Sequence, residues 1–362
     1  MGLAFGQVQS ISSQVVAIFN SGIQGAWFAP NQATATPWFQ DSAATTPVTA
    51  FEQFIGNARD RSGGGNHATQ ATAANRPIYR QDAQGFSYTE SDGVNDSLSS
   101  AAGGGGTAGF FYCAAVQLNA GGAIQSLFSD AGLNGGYRAR VLAGNQVELA
   151  SGGGTPLTPP VADAASMAAI GGTLPAATYF TVITALNAKG ESLKSNEVSV
   201  ATLGTTSTIT NTWAAVAGAT SYRIYRGTAT GAQDVFNAVG NVLTFTDTGA
   251  AATAGAPPTT TDTAFTKLTS AALTLNSVAI VSVFDDGTNL NIQMGVSAPV
   301  TIPRVAVSAG SAGISYRKSN VAALEFGNVR VFEEIYFKGT SGAADQRLKA
   351  QRQVAASVGV TL

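Results

Sequence analysis

The stretch "DRSGGGNHATQ", residues 60–70, sets an acid, a cation, a hydroxyl, an amide and an imidazole within eight positions. His67 is the only histidine in 362 residues. An imidazole near Asp60 and Ser62 is raw material for general-base catalysis, but that chemistry also needs an orienting acid and a nucleophile in register. A lone histidine cannot supply a two-histidine metal site. The glycines are not a phosphate loop, since no Gly-Lys-Ser/Thr follows and no strand–loop–helix context surrounds them.

Other groups invite the same test. Asp92, Asn95 and Asp96 in "SDGVNDS" have an oxygen spacing that could serve calcium, although the full EF-hand spacing is absent. Asp285, Asp286 and Asn289 fit a hairpin turn. Glu333 and Glu334 are adjacent on a strand-like run, so they point to opposite faces. That makes them a poor acid/base pair for glycoside hydrolysis, and the ordinary reading is a charge at a strand edge. Trp27, Trp38 and Trp213 could stack on sugars, but core packing is the commoner use of tryptophan. Cys113 is the single cysteine, which excludes an intrachain disulfide; its run "GFFYCAAVQL" reads as a buried strand with an inert thiol. No catalytic residue and no resident metal or cofactor emerges, calcium at the Asp92 turn being the exception left open.

The elements that position these groups are mainly β. Charged residues make up 11% of the chain, against roughly 25% in an ordinary soluble domain. There are 42 glycines, and Ala, Thr and Ser are abundant, which suits short strands and tight turns. A formal net charge of -2 gives no electrostatic case for nucleic acid or an anionic membrane. The first residues lack a basic region followed by an apolar run, so synthesis in a reducing cytoplasm is expected.

The sequence falls into four pieces. Residues 1–26 read as a helix. Met1, Ala4, Val8, Ile11, Val15 and Ile18 recur at alternating spacings of three and four, and Phe5 and Phe19 widen the apolar stripe. No charged residue occurs before Asp41, so protein must cover this helix. Two readings stand: a helix lying on its own domain, or a self-association and docking segment, with β-branched seam residues favouring three strands. Residues 27–154 and 259–362 share a texture of short strands and Gly/Asn/Asp turns, closed by a short C-terminal helix. Residues 155–258 are bracketed by "TPLTPP" and "GAPP". In "TYFTVITAL", Tyr179, Thr181, Ile183 and Ala185 alternate at period two, as in a sandwich strand.

The segments "GAWFAPNQ", "FQDSAATTPVTA", "DRSGGGNHATQATAANRPIY", "SDGVNDSLS" and the closing "GVTL" resemble the concanavalin A-like (laminin G-like) jelly-roll domains of bacteriophage virion proteins. The middle piece resembles a fibronectin type III-like or related immunoglobulin-like sandwich with its strand order swapped. The fold class expected is therefore a concanavalin A-like jelly-roll interrupted by a smaller β-sandwich, with short helices near both termini. The resemblance implies that residues 60–70 form a shaped loop, with glycines at positive φ and with Asn66 and His67 bonded to backbone. It implies a virion structural protein: a tail fibre, appendage or capsid-decorating component. Such a protein would self-associate, as a trimer by the seam rule, dock on other virion proteins, and expose its β-domains to host surface polysaccharide. A polysaccharide-degrading enzyme on the same fold is the alternative.

Overall fold

The run "FFYCAAVQL" dictates the architecture, because a strand with no polar face must be covered on both sides. In the computed structural model it forms the strand Phe110–Leu118, pairing antiparallel with Val278–Asp285 on one edge and Val329–Lys338 on the other. The structure describes residues 12–32, 37–101, 109–130, 135–153, 156–259, 263, 265–304, 314–316, 327–338 and 344–362.

Two compact units result, Met1–Gly154 with Thr266–Leu362, and Thr155–Phe265. The first holds two eight-stranded sheets. One places the Phe110–Leu118 and Val329–Lys338 pair at its centre. The other includes Gln125–Ser129, Gly135–Val141 and Gln146–Gly153. Tyr112, Ala114 and Val116 project between the sheets onto Phe128, Tyr137 and Ala139. Phe111, Cys113 and Ala115 project the other way, into a second apolar layer with Trp27, Phe332 and Ile335. The C-terminal helix Ala344–Ala356 adds Ala350, Val354 and Ala355 to that layer.

The helical residues 12–20 close the same layer. Val15, Ile18 and Phe19 are 0%, 3% and 7% exposed, and Phe19 meets Phe337 edge-on at 5.3 Å. Of the two readings of the apolar stripe, the structure describes the helix lying on its own domain for these three residues. Phe5, Val8 and Ile11 lie outside the described residues. The helix stops well short of residue 26. Residues 25–28 are instead a strand, Gly25–Phe28, paired with Val329–Lys338. Gly25 is required there, since a Cβ would sit 2.0 Å from the Tyr336 carbonyl oxygen.

The second unit packs a three-stranded sheet, Ser166–Ala168, Thr208–Thr212 and Thr244–Asp247, with a six-stranded sheet centred on Thr178–Asn187 and Ser221–Gly227. Trp213 and Tyr222 anchor its core with ring centroids 5.3 Å apart. The period-two residues Tyr179, Thr181, Ile183 and Ala185 are all buried.

Val15→Asp would place an unpaired charge in the helix-covered layer. The expected cost is about 3 kcal/mol or more, read as a lower urea midpoint for the first unit. An unchanged midpoint would mean that residues 12–20 are not part of this core.

Candidate functional site

The loop "DRSGGGNH" is organised by one carboxylate. Asp60 Oδ1 accepts from the backbone N–H groups of Trp27 (2.9 Å) and Ser62 (2.8 Å). Its Oδ2 accepts from the Ser62 hydroxyl (2.7 Å) and the Asn66 backbone N–H (2.9 Å). Asp60 is 9% exposed, so each of these bonds is worth more than it would be in water. The Asn66 side-chain amide donates to the Gly25 carbonyl at 2.6 Å and ties the loop to the first strand. Gly63 and Gly65 turn the chain at φ of 86° and 70°, where a side chain is strained. His67 Nδ1 accepts from the Asp60 backbone N–H at 3.2 Å, which needs a neutral ring. Burial, and then the charge of Arg59, hold the imidazole below its ordinary 6.5, against the pull of Asp60. It is the Asp60 backbone that bonds the ring; its carboxylate is occupied by backbone N–H groups and the Ser62 hydroxyl.

The outer side of this loop faces open space. A cleft of about 510 Å³ lies between it and residues 20–25. Ser62, Gly63, Gly64 and Asn66 form one wall; Asn20 and Gln24 stand on the other, with Lys338 at the side. No Asp or Glu lines it among the described residues. The loop's part in this cleft follows from the motif. Asn20, Gln24 and Lys338 carry no sequence signal, because only the pairing of Gly25–Phe28 with Val329–Lys338 brings them to the loop.

Asp92 and Asp96 also come together, in a turn. Asp92 Oδ1 accepts from the N–H groups of Val94 (2.8 Å) and Asn95 (3.2 Å), and Asp96 Oδ2 accepts from the Asp92 N–H (3.1 Å). Both acids line a small cavity of about 220 Å³ beside Arg80, Glu90 and Asn119; Asn95 is not in its wall. Burial, and then the Asp92 charge, push the Asp96 carboxyl up to about 6. Among the described residues no group of three or more His, Cys, Asp or Glu is placed to hold a metal ion. Asp285 and Asp286 make a hairpin turn, through Gly287 N–H to Asp285 (2.8 Å) and Thr288 and Asn289 N–H to Asp286 (2.9 and 2.8 Å). Asp285 further accepts from the Tyr137 hydroxyl and from Arg304 (2.7 Å).

The strand-edge reading of Glu333 and Glu334 is corrected. Both lie on a central strand, 0% and 4% exposed. They do point to opposite faces. Glu334 accepts from the Tyr112 hydroxyl (2.9 Å) in the sandwich interior, and Glu333 from the Trp27 indole (2.5 Å) under the helices. Trp27, Trp38 and Trp213 are all buried, so none is a sugar platform. Cys113 is fully buried, and burial pushes its thiol up to about 12, which leaves it unreactive.

No protein-family model and no curated protein matches the sequence. Among solved structures the chain is similar to the receptor-binding domain of botulinum neurotoxin type G, with a TM-score of 0.35 and 10% identity over 81% of this chain and 48% of that one. It is similar also to the serotype D ligand-binding domain in complex with N-acetylneuraminic acid, with a TM-score of 0.36 and 6% identity over 81% and 47%. The chain spans about half the length of these structures. At these scores the likeness extends neither to a shared family nor to a shared ligand.

Asp60→Ala would orphan four donors and is expected to cost at least about 3 kcal/mol. His67→Asn removes one acceptor or replaces it, and should cost at most about 1–2 kcal/mol. Because the folded pKa of His67 is lowered, its contribution is present above pH 6.5 and is lost as pH falls through the folded value. Urea titrations of both variants from pH 5 to 8 check the order and the slope.

Proposed function

We propose that this chain is a non-catalytic structural protein of a bacteriophage particle that attaches to host surface polysaccharide through the cleft beside the 60–70 loop. The observation that carries this reading is the cleft itself. Its walls offer backbone groups of the loop on one side and the exposed side-chain amides of Asn20 and Gln24 on the other, a donor and acceptor set suited to sugar hydroxyls. It holds a cation in Lys338 and no carboxylate among the described residues. Glycoside hydrolysis needs two carboxyl groups facing one bond, so the lining favours binding over cleavage. The resemblance of residues 27–153 to virion jelly-roll domains supports the setting on a particle, as a tail fibre, appendage or capsid decoration. Self-association, as a trimer, and docking on other virion proteins through the N-terminal segment belong to the same proposal. Val15, Ile18 and Phe19 serve the chain's own core, so they do not form that contact in this structure.

A glycan array probed with the purified chain, run beside a polysaccharide-cleavage assay, tests the proposal. Binding without cleavage is expected. A double change, Gln24→Ala with Lys338→Ala, should weaken binding at least tenfold, about 1.4 kcal/mol, with an unchanged urea midpoint. Cleavage of a bound polysaccharide, or binding indifferent to the double change, would overturn it.

A further inference from the structure

The small cavity beside Asp92 and Asp96 shares no lining residue with the cleft, and the attachment reading makes no use of it. It lies where three neighbouring strands of one sheet end. Ser91 follows the strand Ser87–Glu90, Asn119 follows Phe110–Leu118, and Asn328 precedes Val329–Lys338. Backbone bonds hold these ends together. The Ser91 N–H donates to the Val329 carbonyl (3.1 Å), and the Asn119 N–H to the Asn328 carbonyl (3.2 Å).

The residues of its wall carry oxygens that the rest of the protein does not use. Ser91 is 1% exposed, and its hydroxyl is buried without a hydrogen-bond partner. Asn119 donates through Nδ2 to Glu90 and Asn328 (3.3 Å each), while its Oδ1 is buried and unpartnered. Asp96 is 6% exposed; its Oδ2 accepts from the Asp92 N–H, and its Oδ1 accepts from no described residue. Asp92 commits Oδ1 to the N–H groups of the turn, and its Oδ2 accepts from no described residue. A buried oxygen that meets no donor is costly and rare. Asn95 Oδ1 is also buried and unpartnered, but Asn95 lies outside the wall and is not part of the set.

The chemistry of the set names the partner it fits. The unused groups are all oxygens: two carboxylates, a hydroxyl and an amide carbonyl. The wall has no His or Cys, so it lacks the nitrogen and sulfur ligands that zinc and copper prefer. The charges point the same way. Glu90 is paired with Arg80 (2.7 Å) and Arg330 (2.9 Å), and Arg80 is engaged further by Glu52 (3.3 Å). Asp92 and Asp96 are left as two negative charges, near enough for the Asp92 charge to act on the Asp96 carboxyl. Calcium accepts about six to eight mixed oxygen ligands in an irregular array, whereas magnesium demands a near-ideal octahedron and dehydrates reluctantly.

We infer that this cavity is a calcium site, in which Asp92, Asp96, Ser91 and Asn119 supply the protein's ligands and the ion ties the 91–96 turn to the end of a central strand. Only two of the four are acids; the neutral oxygens, with water, complete the coordination. Asp92 is exposed, which gives the ion a way in. So few charged ligands place the affinity among the weaker calcium modules, with a Kd of about 10⁻⁴–10⁻³ M.

Calorimetric titration of the chelator-treated full chain with calcium chloride at pH 8 tests the site. Saturable binding in that range is expected, with magnesium chloride at least tenfold weaker. Asp96→Asn keeps an acceptor for the Asp92 N–H and should weaken calcium at least tenfold. Ser91→Ala deletes a hydroxyl that bonds nothing in the protein. It should leave the urea midpoint of the calcium-free chain unchanged and weaken calcium at least threefold. In the unaltered chain the amide resonances of residues 94–96 and 119 should shift on saturation, which keeps the idea testable if a variant does not fold. Three results would each overturn it: no saturable binding at ten times the upper Kd, which would leave the cavity to water; magnesium bound as tightly as calcium; or calcium binding indifferent to either variant.

Discussion

Everything in the first unit depends on a pair of strands that have no wet side. Phe110–Leu118 and Val329–Lys338 are buried on both faces, so the sheet they centre is covered on each. The second sheet supplies one, and the two terminal helices supply the other. Burying a large aliphatic or aromatic side chain is worth roughly 1.5–3 kcal/mol, and the helix-covered layer holds more than a dozen such chains. That is ample to hold helical residues 12–20, a segment too short to be stable alone in water. Residues 12–20 and the helix Ala344–Ala356 are drawn in because the middle of the sheet would otherwise be open.

The same constraint decides where polar groups are tolerated. A carboxylate inside either layer must be met by donors, since an unmet one costs several kcal/mol. Glu334 meets Tyr112, Asp285 meets Tyr137 and Arg304, and Asp60 meets four donors. Each set of partners crosses from one segment to another, so each fixes a register as well as satisfying a charge. Glu333 belongs to this group, met by the Trp27 indole and the Gln353 amide.

Much of this was legible in the residues. The doubly apolar run at 110–118, the period-two strand at 178–187, the glycines at positive φ and the separate texture of the middle piece are all local signals. The helical stripe was legible as apolar, but its partner was not, because a 3–4 spacing is the same whether the seam meets a sister helix or a sheet. Residues 25 and 26 were read as the end of the helix; their strand character comes from the pairing of residues 25–28 with residues 334–337, more than 300 positions away. The strand-edge reading of Glu333 failed for a related reason. Alternation tells that neighbouring side chains oppose one another, but not how many layers lie beyond each face. Lys338, Asn20 and Gln24 had no signal, since a cleft wall assembled from distant segments leaves no local pattern.

The scarcity of charge also bears on how such a molecule recognises anything. Its outer polar surface is built largely from Thr, Ser, Asn, Gln and backbone, and the cleft beside the 60–70 loop follows that pattern, with Lys338 as its one cation among the described residues. Hydrogen bonds between neutral groups are weakened little by salt, whereas exposed charge pairs are screened within about 10 Å at 0.1 M ionic strength. In the proposed function, recognition through this cleft would therefore rest on the shape and placement of individual hydrogen bonds. A single neutral bond is worth only about 1 kcal/mol, so one cleft alone gives modest affinity. Useful adhesion on a polysaccharide then requires many copies acting together on a repeating ligand. Under the proposed function, display on a particle would meet that requirement and would link a weakly charged β-sandwich to attachment as a task.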